Sequence, residues 1–130
     1  MIVQITHGPP HIPYPMSPRD QQMFDYCATS GEVWGGWVNN ELEAVWGVIP
    51  PSFLSDEAYL WLWNLPVKHP ILLALYSQKV IAVLHERWPT LHGHCRLGSS
   101  SFRWLLWLGA EFSQPQASLV PFELRSRADG

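Results

Sequence analysis

Apolar and polar positions change period several times along this chain, and each change marks an element. Ile2–Thr6 alternates and predicts a short first strand. His7–Pro15 holds four prolines in nine residues and predicts an extended segment, because proline lacks the N–H that a helix interior needs. Ser17-Pro18-Arg19-Asp20 then predicts a helix start: Ser17 can cap, Pro18 suits the first helical position and Asp20 puts an acid in the first turn. This helix is expected to reach about Ala28, with Gly31 at its end. Glu32–Val38 and Leu42–Ile49 flank Asn39-Asn40, a pair that tolerates positive φ, and predict a β-hairpin. Its second strand should place Leu42, Ala44, Trp46 and Val48 on one face.

After Pro50-Pro51, residues 52–57 read as a polar loop and Ala58–Leu65 as an apolar strand stopped by Pro66. Pro70–Trp88 is the longest predicted helix, ended by Pro89. Its apolar positions, Ile71, Leu75 and Ala82 among them, cover a wide arc and predict a largely buried helix. Thr90–Leu97 predicts another strand. Gly98 and three serines follow, one of which should cap a helix Phe102–Leu108 with Phe102, Leu105, Leu106 and Gly109 on one face. Ala110–Phe112 and Leu119–Arg125 are predicted as short strands. A strand–helix–strand unit inside an otherwise antiparallel set implies an α+β fold, with a mixed, mostly antiparallel sheet and a right-handed crossover. Residues 1–130 are expected to form one domain, with 126–130 as a flexible tail.

Composition narrows the function classes. Hydrophobic residues make up 47% of the chain and charged residues 15%, which supports a packed core and argues against disorder. The net charge is −3 and the eight Lys and Arg are dispersed, so no basic stripe for nucleic acid is expected. No apolar run approaches the ~20 residues of a membrane span, and the N-terminal residues lack the basic and apolar regions of a secretion signal. Cys27 and Cys95 form no spaced motif and read as reduced thiols, a single disulfide being the alternative.

Chemistry is densest at His92-Gly93-His94-Cys95. At strand spacing His92 and His94 share a face, whereas Cys95 points away from it. The two histidines suit an acid–base pair; no third ligand at a suitable spacing suggests a metal, so none is expected. Ser99 and Ser100 can bind a cofactor phosphate or carbonyl, or cap the following helix. Glu41, Glu43 and Glu57 are expected to be solvated hairpin and loop acids, with a role as bases the alternative. The eight tryptophans include Trp61 and Trp63, which share one strand face, and Trp104 and Trp107, which lie one turn apart. Trp104 and Trp107 flank the apolar stripe of the last helix, so one of the two stripes is expected to meet a partner or a second subunit.

Several motifs in this order resemble the GNAT superfamily of CoA-dependent N-acyltransferases. They are Met16-Ser-Pro-Arg-Asp20, Val45-Trp-Gly-Val-Ile-Pro50, Trp61-Leu-Trp63, Trp88-Pro-Thr-Leu91, Phe102–Phe112 and Pro121-Phe-Glu123. The match is closer still to small phage GNAT-like proteins, the group that includes the internal virion protein A family of short-tailed phages.

The resemblance implies a GNAT fold, with flanking helices and with Ala58–Leu65 and Thr90–Leu97 as the splayed central strands. It implies acetyl-CoA or CoA as cofactor, its pantetheine arm along Leu62, Trp63, Asn64 and Leu65 and its pyrophosphate received at residues 67–71, where Lys68 and His69 lie. An amine would be the substrate, deprotonated by His92, His94 or a water they position. The chain would work in the host cytoplasm or in association with the virion. Asn64–Ile71 has no glycine where the family has a glycine-rich turn, and Gly98 and Leu105 stand where the family carries Asn and Tyr. These departures define a second reading, a non-catalytic protein of virion assembly or genome ejection that uses the fold as a scaffold, with a virion protein, a host protein or a second copy as partner.

Overall fold

The computed structural model describes residues 2–50, 57–63 and 68–126. The predicted polar loop at 52–57, apart from Glu57, lies outside the described residues, as do Asn64, Leu65 and residues 127–130 of the predicted tail. Ser126 donates its backbone N–H to the Pro89 carbonyl at 2.8 Å.

In chain order the elements are β1 (Val3–His7), α1 (Pro18–Ser30), β2 (Glu32–Val38), β3 (Glu41–Ile49), β4 (Glu57–Trp63), α2 (Pro70–Arg87), β5 (Thr90–Arg96), α3 (Ser100–Trp107), β6 (Glu111–Phe112) and β7 (Leu119–Arg125). The seven strands form one mixed sheet in the order β1-β2-β3-β4-β5-β7-β6. Only the pairing of β4 with β5 is parallel among the registers described, which fits a helical crossover between them. The chain divides into two compact units, Met1–Ile49 with Trp61–Pro70 and Pro50–Leu60 with Ile71–Gly130.

In the first unit the local signals act as read. Ser17 accepts a hydrogen bond from the Asp20 amide, Pro18 opens α1, and the Gly31 amide closes it on the Cys27 carbonyl. Asn39 and Asn40 take φ of 51° and 67°, the left-handed pair that a tight hairpin requires. α1 packs on β2 and β3, its Cys27 fully buried over Gly47, where a Cβ would sit 2.6 Å from the sulfur. Phe24 meets Trp61 edge-on at 6.3 Å.

The hairpin register contains a feature that alternation alone does not show. Gly36 pairs with Ala44 but its neighbour Trp37 pairs with Leu42, so Glu43 is an extra residue in β3. Such a bulge breaks the alternation and re-aims side chains. Leu42 therefore does not share the face of Ala44 and Trp46: a side chain at Gly35 would meet Leu42 and Trp37, whereas one at Gly36 would meet Ala44 and Trp46. Glu43 itself is only 2% exposed, which corrects the expectation of a solvated hairpin acid. Glu41 does follow that expectation and is exposed.

In the second unit Ala58, Leu60, Leu91, Cys95, Val120, Phe122 and Leu124 build the apolar side of the sheet, and Leu105 of α3 is fully buried with them. Gly93 is required here by close approach. A Cβ at this position would run into the Leu60 carbonyl and the Phe122 ring. Ser99 caps α3 by accepting from the Phe102 amide.

Two helix faces differ from expectation. α2 is not largely buried: Ile81 and Leu84 carry its core contacts, while Ile71, Leu75 and Val83 are exposed. Its apolar arc is wider than the surface available to cover it. In α3, Leu106 is exposed and Trp104 turns inward instead, because its indole N–H finds the Ser77 hydroxyl of α2 at 2.6 Å. Trp107 stays 51% exposed beside an open groove lined by Ile81, Ala82, His85 and Leu124. No described helix is long and apolar enough to cross a membrane.

Candidate functional site

Two groups of polar side chains stand out, one in each unit. In the second unit, β4 and β5 run in parallel register through Glu57↔Thr90, Ala58↔Leu91 and Tyr59↔His92. The ladder ends there, while β4 continues to Trp63 and β5 to Arg96. At this end the polar faces of the strands bring three rings together. The Tyr59 hydroxyl lies 3.3 Å from Nδ1 of His94, and the Tyr59 ring meets the His92 ring edge-on at 5.6 Å and the tilted His94 ring at 6.0 Å.

The geometry follows from strand period. His92 and His94 share a face, as their spacing predicts, and β5 pairs with β7 so that His92 stands opposite Glu123 and His94 opposite Pro121. Cys95 turns to the other face and is buried; desolvation raises its pKa above the ordinary thiol value, so it is not an activated nucleophile. Tyr59 is not among the residues that the sequence singles out. Its signal is weak but present: in Glu57-Ala-Tyr-Leu60 it alternates with the buried Ala58 and Leu60, which sends its hydroxyl to the polar side. A phenol and an imidazole within hydrogen-bond reach can pass a proton between them or hold it for a third group.

In the first unit the bulged Glu43 makes the second group. Its Oε1 accepts from the backbone amides of both Lys68 and His69, each at 3.0 Å. Its Oε2 lies 2.7 Å from Nδ1 of His69, a side chain 29% exposed. Removing a carboxylate from water costs several kcal/mol in real proteins, about as a rule of magnitude, unless hydrogen bonds replace the lost solvent. Two amides and one ring nitrogen do so here. Nearby, the Lys68 ammonium donates to Glu41 at 2.7 Å in the solvent. Through this hydrogen bond and the attraction of the charges, Glu41 titrates below the usual carboxylate range and Lys68 above the usual lysine range.

The remaining sequence candidates are placed as follows. Leu62 and Trp63 end β4 half-buried; Asn64 and Leu65 lie outside the described residues. Lys68 and His69 are brought together, and both are engaged with the acids of β3. Ser99 spends its oxygen on the α3 cap, and Ser100 is exposed at the first position of that helix. No group of three His, Cys, Asp or Glu among the described residues is arranged to hold a metal ion.

The sequence matches no family model and no curated protein. The fold does match solved structures. It superposes on the N-acetyltransferase PseH of Campylobacter jejuni with a TM-score of 0.60 at 9% identity, covering 95% of this chain and 97% of that one. A GNAT family acetyltransferase from Elizabethkingia anophelis, solved with acetyl-CoA bound, gives a TM-score of 0.57 at 14% identity over 93% of this chain and 97% of that one. A probable acetyltransferase gives 0.57 at 13% identity over 74% of this chain, which spans only 62% of its length. The chain therefore has the GNAT acetyltransferase fold, as the sequence motifs imply.

Proposed function

We propose that this chain is an acyl-CoA-dependent N-acyltransferase whose reacting centre lies at the end of the β4–β5 ladder. The observation that carries this reading is the meeting of Tyr59 with His92 and His94 where the ladder stops. The likeness to acetyltransferase structures, one with acetyl-CoA bound, supports the same donor. The donor supplies a thioester carbon. An amine must reach that carbon neutral, so a group on the protein has to take its proton.

His94 suits this role because it is exposed and its Nδ1 is held by the Tyr59 hydroxyl, which leaves Nε2 for the substrate. As the C–N bond forms and the C–S bond breaks, one proton leaves the nitrogen and one is taken up by the departing sulfur. Tyr59 and His94, joined by a hydrogen bond, can carry both transfers. His92 packs against the Tyr59 ring and fixes its orientation. Assaying release of free CoA thiol from acetyl-CoA across a panel of primary amines tests this reading. His94→Ala and Tyr59→Phe should each lower kcat by roughly a hundredfold or more. Calorimetry showing no CoA binding at millimolar concentration overturns it.

A second reading is favoured by specific contacts. Glu43 already holds the Lys68 and His69 amides, and Leu106 and Trp107 are exposed together at the end of α3. Both suit a phage protein that has kept the fold as a scaffold for virion assembly or ejection, with Leu106 and Trp107 offered to a virion protein, a host protein or a second copy. Co-purification with phage particles, without thioester turnover, supports this reading; free protein in the host cytoplasm that turns over acetyl-CoA supports the first.

A further inference from the structure

A pyrophosphate on a turn of this kind is held by backbone amides that point at the anion. Here the amides of Lys68 and His69 point at Glu43, and Pro70 has no amide to add. The carboxylate is no passing surface neighbour. It is 2% exposed, it is the extra residue of a bulge, and its second oxygen is bound to the His69 ring. A diphosphate on the same two amides would have to displace its Oε1, leaving a buried charge two partners short and a like charge beside the incoming one. The Lys68 ammonium is itself directed to Glu41.

We propose that Glu43 is the resident anion of the Lys68–His69 turn, holding its two amides against a free anion such as pyrophosphate. An acyl donor is accordingly recognised through its pantetheine arm and acyl group, not through a diphosphate on these amides; this second part rests on the acyltransferase reading, and the first does not. The donor class is then a pantetheine thioester, with the nucleotide end of CoA contributing little.

The test has two arms. In the first, inorganic pyrophosphate is titrated into the 15N-labelled full chain while the Lys68 and His69 amide resonances are followed. The wild type should show no saturable shift, and Glu43→Ala should show one at both amides. Glu43→Gln keeps an acceptor but loses the charge, and should shift less than Glu43→Ala; it carries the test if the alanine variant does not fold. Saturable pyrophosphate binding at these amides in the wild type overturns the proposal.

In the second arm, CoA and pantetheine are compared by calorimetry. Their Kd values should agree within about threefold in the wild type, and the ratio should move about tenfold towards CoA in the Glu43 variants. A wild-type preference for CoA of about tenfold or more overturns the donor assignment. If neither ligand binds while the pyrophosphate arm behaves as expected, the acyltransferase reading and its donor class fall and the assignment of Glu43 stands.

Discussion

Nδ1 of His69 lies 2.7 Å from Oε2 of Glu43, so a ring that leads into α2 is tied to a carboxylate buried in β3. The same carboxylate bonds the amides of Lys68 and His69, which gives one side chain three partners across 25 or 26 residues of sequence. Losing it strands those partners. Glu43→Gln retains one good acceptor and is expected to cost about 1–3 kcal/mol of stability. Glu41→Gln, which breaks only the exposed pair with Lys68, should leave the urea midpoint unchanged. Equal effects of the two substitutions would contradict the central place given to Glu43.

Cys27 gives a prediction for alkaline pH. Burial against Gly47 pushes its thiol up to about 11 from the ordinary 9.0. The unfolded chain therefore releases this proton at lower pH than the folded chain. The contribution is fully present below pH 9.0 and is lost as pH rises towards 11. Two pH units correspond to an upper bound of about 2.7 kcal/mol. Urea unfolding between neutral and alkaline pH should show this slope, and Cys27→Ala should flatten it. At neutral pH both Cys27 and Cys95 should react slowly with a disulfide reagent until the chain is unfolded.

The two tryptophans of α3 should separate cleanly. Trp104→Phe removes the bond to Ser77 and leaves that hydroxyl one partner short, at about 1 kcal/mol. Trp107→Phe acts on a half-exposed ring and should change stability by less than about 0.5 kcal/mol. Tryptophan fluorescence should differ likewise, with bromide or iodide quenching reduced far more by the Trp107 change.

Gly93→Ala tests the close approach of β4 to β5. A Cβ there meets the Leu60 carbonyl and comes within 2.9 Å of the Phe122 ring, and neither backbone nor buried ring can retreat freely. A loss of about 2–3 kcal/mol is expected in thermal or urea unfolding. Under the proposed function acyl transfer should fall with it, because the displaced strands carry Tyr59 and His94.

Sequence alone determined what is local. Ser17 and Ser99 cap helices because their oxygens reach amides three residues on, Asn39-Asn40 turns because those residues accept positive φ, and His92 and His94 share a face because a strand has period two. The motif order also carried the fold. Tertiary structure decided what depends on register between distant segments. The bulge that buries Glu43 exists only in the pairing of β3 with β2, Tyr59 meets His94 only because β4 pairs with β5 across 35 residues, and the α2 face that packs follows from which side the sheet covers. Alternation within one strand carries no information about which residue its neighbour skips. That single skipped residue turned an acid from a solvated hairpin position into a buried carboxylate bonded to the Lys68 and His69 amides.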